Sequence, residues 1–257
     1  MNKPMQRLAL VITLTSLFIE NTNVFATETD DRIESSAKQS YVFKTYLKSD
    51  DVKIQSKDGA VTLTGTVSEE SNKSLAKDTV ASLPGVKSVD NKLVLKGAPP
   101  AAHTDAWLIT KVKSALLYHR SVSAVKTEVL AKDGVVTLRG EAINTAQKEL
   151  ATEFAKDVEG VKNVKNEMAI VAPKEKTTDD KKDAIAESID DASTTALVKS
   201  TLLNHRSTSA LNTKVETKEG VVNLIGKAKN TAEKDLVTKI VSDVQGVKKV
   251  DNNMSVE

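Results

Sequence analysis

Lys57-Asp58-Gly59-Ala60-Val61-Thr62-Leu63-Thr64-Gly65 is the stretch that decides the fold of this chain. An Asp-Gly turn followed by alternating aliphatic residues is the signature of a β-hairpin. The stretch recurs as Lys132-Asp133-Gly134-Val135-Val136-Thr137-Leu138-Arg139-Gly140 and as Lys218-Glu219-Gly220-Val221-Val222-Asn223-Leu224-Ile225-Gly226. In each copy another glycine follows 20 positions later and opens Gly85-Val86-Lys87-Ser88-Val89, Gly160-Val161-Lys162-Asn163-Val164 or Gly246-Val247-Lys248-Lys249-Val250. What recurs is glycines and core aliphatics, with no nucleophile or metal ligand among them and no acid beyond the turn residues Asp58, Asp133 and Glu219. Repetition of scaffold without repetition of chemistry points to a binding array and away from an enzyme.

Each copy reads as helix, strand, strand, helix, strand. In the second copy Asp105 is placed to cap a helix whose Leu108, Val112, Ala115 and Leu116 recur at helical spacing. Val125, Thr127 and Val129 alternate as a strand, Lys132-Asp133-Gly134 turns the chain, and Val136, Leu138 and Gly140 alternate back. Asn144 with Gln147, and Asn230 with Glu233, fit a capping box at the start of a second helix. The last strand carries Asn91, Asn166 and Asn252 on its aliphatic face, where a repeated polar residue suits backbone groups at a bulge. A strand-helix-strand passage returning beside the hairpin makes the sheet mixed. The expected class is therefore α+β, three tandem small αββαβ domains, each a three-stranded mixed sheet packed against two helices.

The boundaries that follow are 1–26 signal peptide, 28–97 first domain, 105–172 second domain, 173–191 charged linker and 192–257 third domain. Lys3 and Arg7 precede the apolar run Leu8 to Ile19, and Val24-Phe25-Ala26 offers a small-residue cleavage site, so residues 1–26 read as a cleaved secretory signal. That predicts a periplasmic protein starting near Thr27. The chain has no cysteine, which excludes a disulfide framework and a thiolate metal site. With 37 basic and 35 acidic residues it lacks the clustered basic surface that nucleic acid requires. Charge is uneven all the same: residues 192–257 carry 10 basic against 7 acidic side chains, the best candidate for an anionic surface. Counted from Leu47 to Gly59, the first copy falls five residues short of Leu117 to Gly134 and lacks the His-Arg-Ser segment. The short connector Lys96 to Ala102 predicts a more restricted angle between domains 1 and 2 than between 2 and 3.

Three sets of residues are candidates for function. The turn glycines Gly59, Gly134 and Gly220 are expected at φ > 0, Gly65, Gly140 and Gly226 where a helix comes close, and Gly85, Gly160 and Gly246 as helix C-caps. His119-Arg120 and His205-Arg206 follow the first helix of copies two and three, where cations favour the helix C-terminus or contact an anion. With no third ligand recurring beside them, no metal site is expected. Trp107, Lys111, Ser114 and Tyr118 share a stripe separate from the core stripe of the first helix in copy two. Trp and Tyr flanking a lysine suit a membrane interface, and they equally suit packing against a neighbouring repeat. On the membrane reading Trp107, Lys111 and Tyr118 touch anionic phospholipid, and Lys227, Lys229, Lys248 and Lys249 add electrostatic attraction.

The hairpin, the 20-residue interval to Gly-Val-x-x-Val and the Asn-x-Met/Leu ending of the last strand together resemble the BON domain, named for bacterial osmotically inducible and nodulation proteins. The resemblance covers essentially the whole chain behind the signal. It implies an envelope role: binding phospholipid or a membrane surface, maintaining the envelope under osmotic or other stress, or a chaperone-like holdase activity on client envelope proteins. It brings no catalytic residues and no cofactor.

Overall fold

The computed structural model describes residues 22–98, 100–122, 127–171, 189–208 and 213–257. The apolar run of the expected signal and most of the expected linker lie outside the described residues. Domain 1 comprises α1 (Thr22–Gln39), α2 (Tyr41–Thr45), β1 (Asp51–Lys57), β2 (Ala60–Val67), α3 (Glu70–Ala81) and β3 (Ser88–Leu95). Domain 2 comprises α4 (Asp105–Leu117), β4 (Thr127–Lys132), β5 (Val135–Ala142), α5 (Thr145–Lys156), β6 (Asn163–Asn166) and β7 (Ala169–Ile170). Domain 3 follows with α6 (Asp191–Asn204), β8 (Lys214–Lys218), β9 (Val221–Ile225), β10 (Lys227–Ala228), α7 (Thr231–Ser242), β11 (Lys249–Asn252) and β12 (Ser255–Val256).

Each domain is the mixed sheet that the sequence predicts. Lys57 pairs with Ala60, Lys132 with Val135 and Lys218 with Val221, which leaves two-residue loops in antiparallel hairpins. Both loop residues take positive φ in all three copies, Asp58 at 54° and Gly59 at 80° for instance, the type I′ geometry whose twist matches the strands. The last strand lies parallel to the second hairpin strand: β3 on β2, β6 and β7 on β5, β11 on β9. The predicted capping pairs are present, with the return bond shifted one residue to the position before the N-cap. Asn144 accepts from the Gln147 N–H at 2.8 Å while Gln147 accepts from the Ile143 N–H at 2.6 Å, and Asn230 and Glu233 repeat the pair. Asn166 donates to the Lys148 carbonyl at 2.7 Å and accepts from the Met168 N–H at 3.0 Å, so it serves both the break between β6 and β7 and the helix above.

Local details differ from the sequence reading. Thr104, one position earlier than Asp105, caps α4 by accepting from the Trp107 N–H at 3.3 Å. Asp105 and its counterparts reach instead to the hairpin loop: Asp30 accepts from Asp58 and Gly59 at 2.7 and 2.9 Å, Asp191 from Glu219 and Gly220 at 2.6 and 2.8 Å, and Asp105 from Gly134 at 3.5 Å. Each acid therefore ties the first helix to the turn. These pairs also set the true register, since Asp30 to Gly59, Asp105 to Gly134 and Asp191 to Gly220 span the same 29 positions. The first copy is therefore not shorter; Lys44 stands where copies two and three have His119 and His205.

The glycines also change roles. Gly85, Gly160 and Gly246 lie three residues beyond the C-caps Ser82, Asp157 and Asp243, in the turn that follows each second helix. At Gly246, with φ +88°, an added Cβ would lie 2.3 Å from the Thr194 hydroxyl and 3.0 Å from Ile189, so it is here that the first helix comes close. At Gly65 the close neighbour is the Asp51 carbonyl of the paired strand, 1.9 Å from a hypothetical Cβ, and no helix. Gly246→Ala should cost about 2 kcal/mol through the strained backbone and the displaced helix, measured as a lower urea midpoint at unchanged slope.

The cores are unevenly divided. Domain 2 has its own apolar core, joined by Ile240 of domain 3, whereas domains 1 and 3 share one continuous core that also takes in Tyr118. Helix α6 shows why: Ala192 to Val198 are all buried, so it is covered by its own sheet on one side and by α3 and α2 of domain 1 on the other. Asp190 joins the two domains, accepting from Ser193 N–H and from Tyr41 N–H, each at 2.8 Å. The short connector does not decide which domains share a core.

Candidate functional site

Two places gather the residues singled out in the sequence. The first is a cleft of about 600 Å³ where all three domains meet. Trp107, Lys111 and Ser114 of α4 form one wall, Leu95, Lys96 and Gly97 with Ser68, Glu69 and the start of α3 (Glu70, Ser71, Ser74) another, and Ser200, Leu203 and Asn204 of α6 the third. Trp107 is half-buried, with Lys111 Nζ 5.7 Å from the ring centroid and the His103 ring at 5.2 Å. Trp107 and Lys111 thus line a concave site.

Tyr118 does not join them on an accessible surface. It is wholly buried, packed edge-on against Tyr46 of domain 1 at 5.5 Å, and burial pushes its phenol up to about 12. The neighbour-packing alternative describes this residue, and direct contact with lipid is ruled out by its lack of exposure. The four lysines of domain 3 do not converge either. Lys248 and Lys249 stand at the start of β11, opposite Gly220 and Val221, whereas Lys227 and Lys229 lie beyond the far end of β9, roughly 20 Å along the strand. Lys249 pairs with Asp251 at 2.7 Å and Lys227 with Glu257 at 3.9 Å.

The second place is the joint between domains 2 and 3, which the sequence reading assigned to helix ends or anions. His119 and His205 are buried, and each reaches across to the other domain: His119 Nδ1 lies 3.1 Å from Asp243, and His205 Nδ1 lies 2.9 Å from Asp157. Their neighbours repeat the exchange. Arg120 N–H donates to the Asp243 carbonyl at 2.9 Å and Arg206 N–H to the Asp157 carbonyl at 3.0 Å, while the Ser121 and Ser207 hydroxyls donate to the same two carboxylates. Between them His119 stacks on Phe154 at 3.8 Å. Burial alone would raise the Asp157 carboxyl, but hydrogen bonds from His205 and Ser207 and the Arg206 charge outweigh it and hold it below the usual range. Asp157 and Asp243 went unnoticed in the sequence. Their equal spacing, 38 residues after His119 and His205 respectively, was the available signal. Domain 1 has Lys44 and Ser82 at the two positions, so it cannot form this clasp.

Among the described residues no group of three or more His, Cys, Asp or Glu could hold a metal ion, and no helix is long and apolar enough to cross a membrane. The architecture defines an array of small αββαβ modules with a concave site and a domain joint. The chain belongs to the BON domain family, whose profile matches residues 29–97, 104–172 and 190–257. It is 33% identical to the Osmotically-inducible protein Y of Escherichia coli over 150 residues, 58% of this chain and 71% of that protein. The 21 kDa hemolysin of Actinobacillus pleuropneumoniae is 35% identical, and the Outer membrane lipoprotein DolP of Haemophilus influenzae 31%, each over 44% of this chain and 59% of the relative. The C-terminal domain of CdsD, a type III secretion structural protein of Chlamydia trachomatis, aligns over 88% of this chain and 95% of its own at 16% identity, with a TM-score of 0.23, too low to establish a shared arrangement.

Proposed function

We propose that this chain is a non-enzymatic periplasmic envelope protein that binds phospholipid and supports the envelope under osmotic or other stress. Its relatives include an osmotically inducible protein and an outer membrane lipoprotein, which favours the envelope assignment. The observation that carries the lipid reading is the three-domain cleft. A concave site of about 600 Å³ lies in the usual size range of ligand sites. Its walls combine Trp107, Leu95, Ala98, Pro100, Ala102 and Leu203 with Lys96 and Lys111 and with Glu69 and Glu70. Lys96 is tied to Asp50 at 3.6 Å, so the apolar wall suits an acyl chain and Lys111, beside Trp107, is the cation placed for a phosphate headgroup.

Co-sedimentation with phosphatidylethanolamine/phosphatidylglycerol vesicles tests it. Trp107→Ala should weaken binding about tenfold, the equivalent of roughly 1.4 kcal/mol of lost aromatic contact. Lys111→Ala should reduce binding mainly at low salt, where charge attraction is least screened. Vesicle binding unchanged in both variants removes the cleft as the site. Suppression of client aggregation that survives both substitutions, with no vesicle binding in wild type, would instead favour the holdase reading.

A further inference from the structure

The reciprocal joint between domains 2 and 3 places two histidines in an arrangement that hydrogen bonding to the carboxylates does not satisfy. His119 Nε2 and His205 Nε2 lie 3.4 Å apart, and the ring centroids 5.6 Å apart, so the two Nε2 atoms face each other between the rings. Each Nδ1 rests on a carboxylate of the opposite domain, at 3.1 and 2.9 Å. An ionised carboxylate only accepts, so each Nδ1 carries a hydrogen, and a neutral ring must then present its Nε2 lone pair. Two neutral rings would set lone pair against lone pair inside the joint, where His119 is 0% and His205 2% exposed. One added proton turns the clash into an N–H···N bond. A second sets the Nε2–H groups of two imidazolium rings against each other.

We propose that domains 2 and 3 are clasped through one proton shared between His119 and His205, and that a second proton opens the joint, so that acid separates these two domains. The surrounding charges fit a single excess proton. Arg120 follows α4 and Arg206 follows α6; α5 contributes Glu153, Lys156 and Asp157, and α7 contributes Lys239 and Asp243. The carboxylates Asp157 and Asp243 are each already shared by a histidine, a serine and an arginine, which leaves little further negative charge to offset a second imidazolium. Burial, with the positive neighbour His205 adding to it and Asp243 opposing it, holds His119 below the usual histidine range. Below about pH 6.5, where separated histidines are both charged, the closed joint binds one proton and the open joint two, so closure weakens as pH falls; above it the open joint binds none and the closed joint still one, so closure is tightest near 6.5. On the acid side the ratio of open to closed chains can rise by up to about tenfold per pH unit.

Small-angle scattering of the full chain at pH 6.5 and pH 5.0, in the presence of a chelator, should show an increased radius of gyration in acid. His205→Gln replaces one ring by an amide whose oxygen accepts from a protonated His119, and this variant should stay compact at pH 5.0. Nitrogen-15 spectra of histidine-labelled wild type should show both Nδ1 atoms protonated and one proton shared by the two Nε2 atoms near neutrality, with His103 outside the joint as reference. A wild-type radius that does not change with pH overturns the proposal, as does equal acid opening in His205→Gln. Nε2 resonances that shift on chelator addition would show a bound metal and overturn it as well. Should His205→Gln fail to fold, the nitrogen spectra decide alone: two rings that stay neutral at Nε2 from pH 7.5 to 5.0 end the idea.

Discussion

Leu197→Lys should release domain 1 from domain 3 and cost about 4 kcal/mol, turning one cooperative urea transition into two. Leu197 is fully buried, one helical turn from Ser193, whose hydroxyl accepts the Val42 N–H of domain 1 at 3.0 Å. It lies in the core that the two domains share. Truncating a buried leucine forfeits roughly 2–3 kcal/mol of transfer energy, and burying an unpaired ammonium adds a desolvation cost unless the interface opens. Opening is the cheaper outcome. It exposes the α6 face with its small residues Ser193, Ala196 and Ser200, and it leaves Tyr41 N–H without Asp190. Domain 2 provides the control, because the equivalent position there is Lys111, half-buried in the cleft. Lys111→Leu should leave folding within about 0.5 kcal/mol of wild type, as surface changes do. A single transition with an unchanged midpoint in Leu197→Lys would mean that something other than the shared core holds domains 1 and 3 together.

That core also marks where reading the sequence stopped. The hairpins, the parallel return strand and the capping boxes were legible because each depends on residues close in the chain: an Asp-Gly pair, an Asn followed three places later by Gln or Glu, aliphatics every second position. The α6 face was not legible. Ser193, Leu197 and Ser200 carry no local mark of their cover, since nothing nearby in the chain distinguishes a small-residue face covered by another domain from one facing solvent. Tyr118 stayed open between a membrane and a neighbouring repeat for the same reason: helical geometry removes it from its own domain's core but does not say that Tyr46 of domain 1 covers it. The register error in copy one had another cause. It was anchored on an aliphatic residue, Leu47, whereas the conserved geometric anchor is the acid that accepts from the hairpin turn, Asp30. Aligned on that acid, the copies have equal length, and the special character of the second and third becomes plain: they alone carry a histidine and an aspartate at the two positions that meet across the joint.

Asp243→Ala should detach domain 2 from domain 3 at a cost of about 3 kcal/mol, and Asp157→Ala should do the same from the other side. Asp243 accepts from His119 Nδ1 and from the Ser121 hydroxyl and lies 3.9 Å from Arg120 Nε, so its removal strands a buried imidazole, a hydroxyl and part of an arginine at once. Leaving buried donors unsatisfied costs about 1–3 kcal/mol each. The structure caps this loss, because separating the domains returns those groups to water. That cap makes the double variant informative. Once either carboxylate is gone and the joint is open, the second has no partner left to lose, so Asp157→Ala/Asp243→Ala should be destabilised little more than either single variant. A double-mutant cycle should then give a coupling of about 2 kcal/mol, far above the few tenths found for independent sites. Simple additivity would show instead that each histidine-aspartate pair holds its own corner and that the joint does not open as a unit.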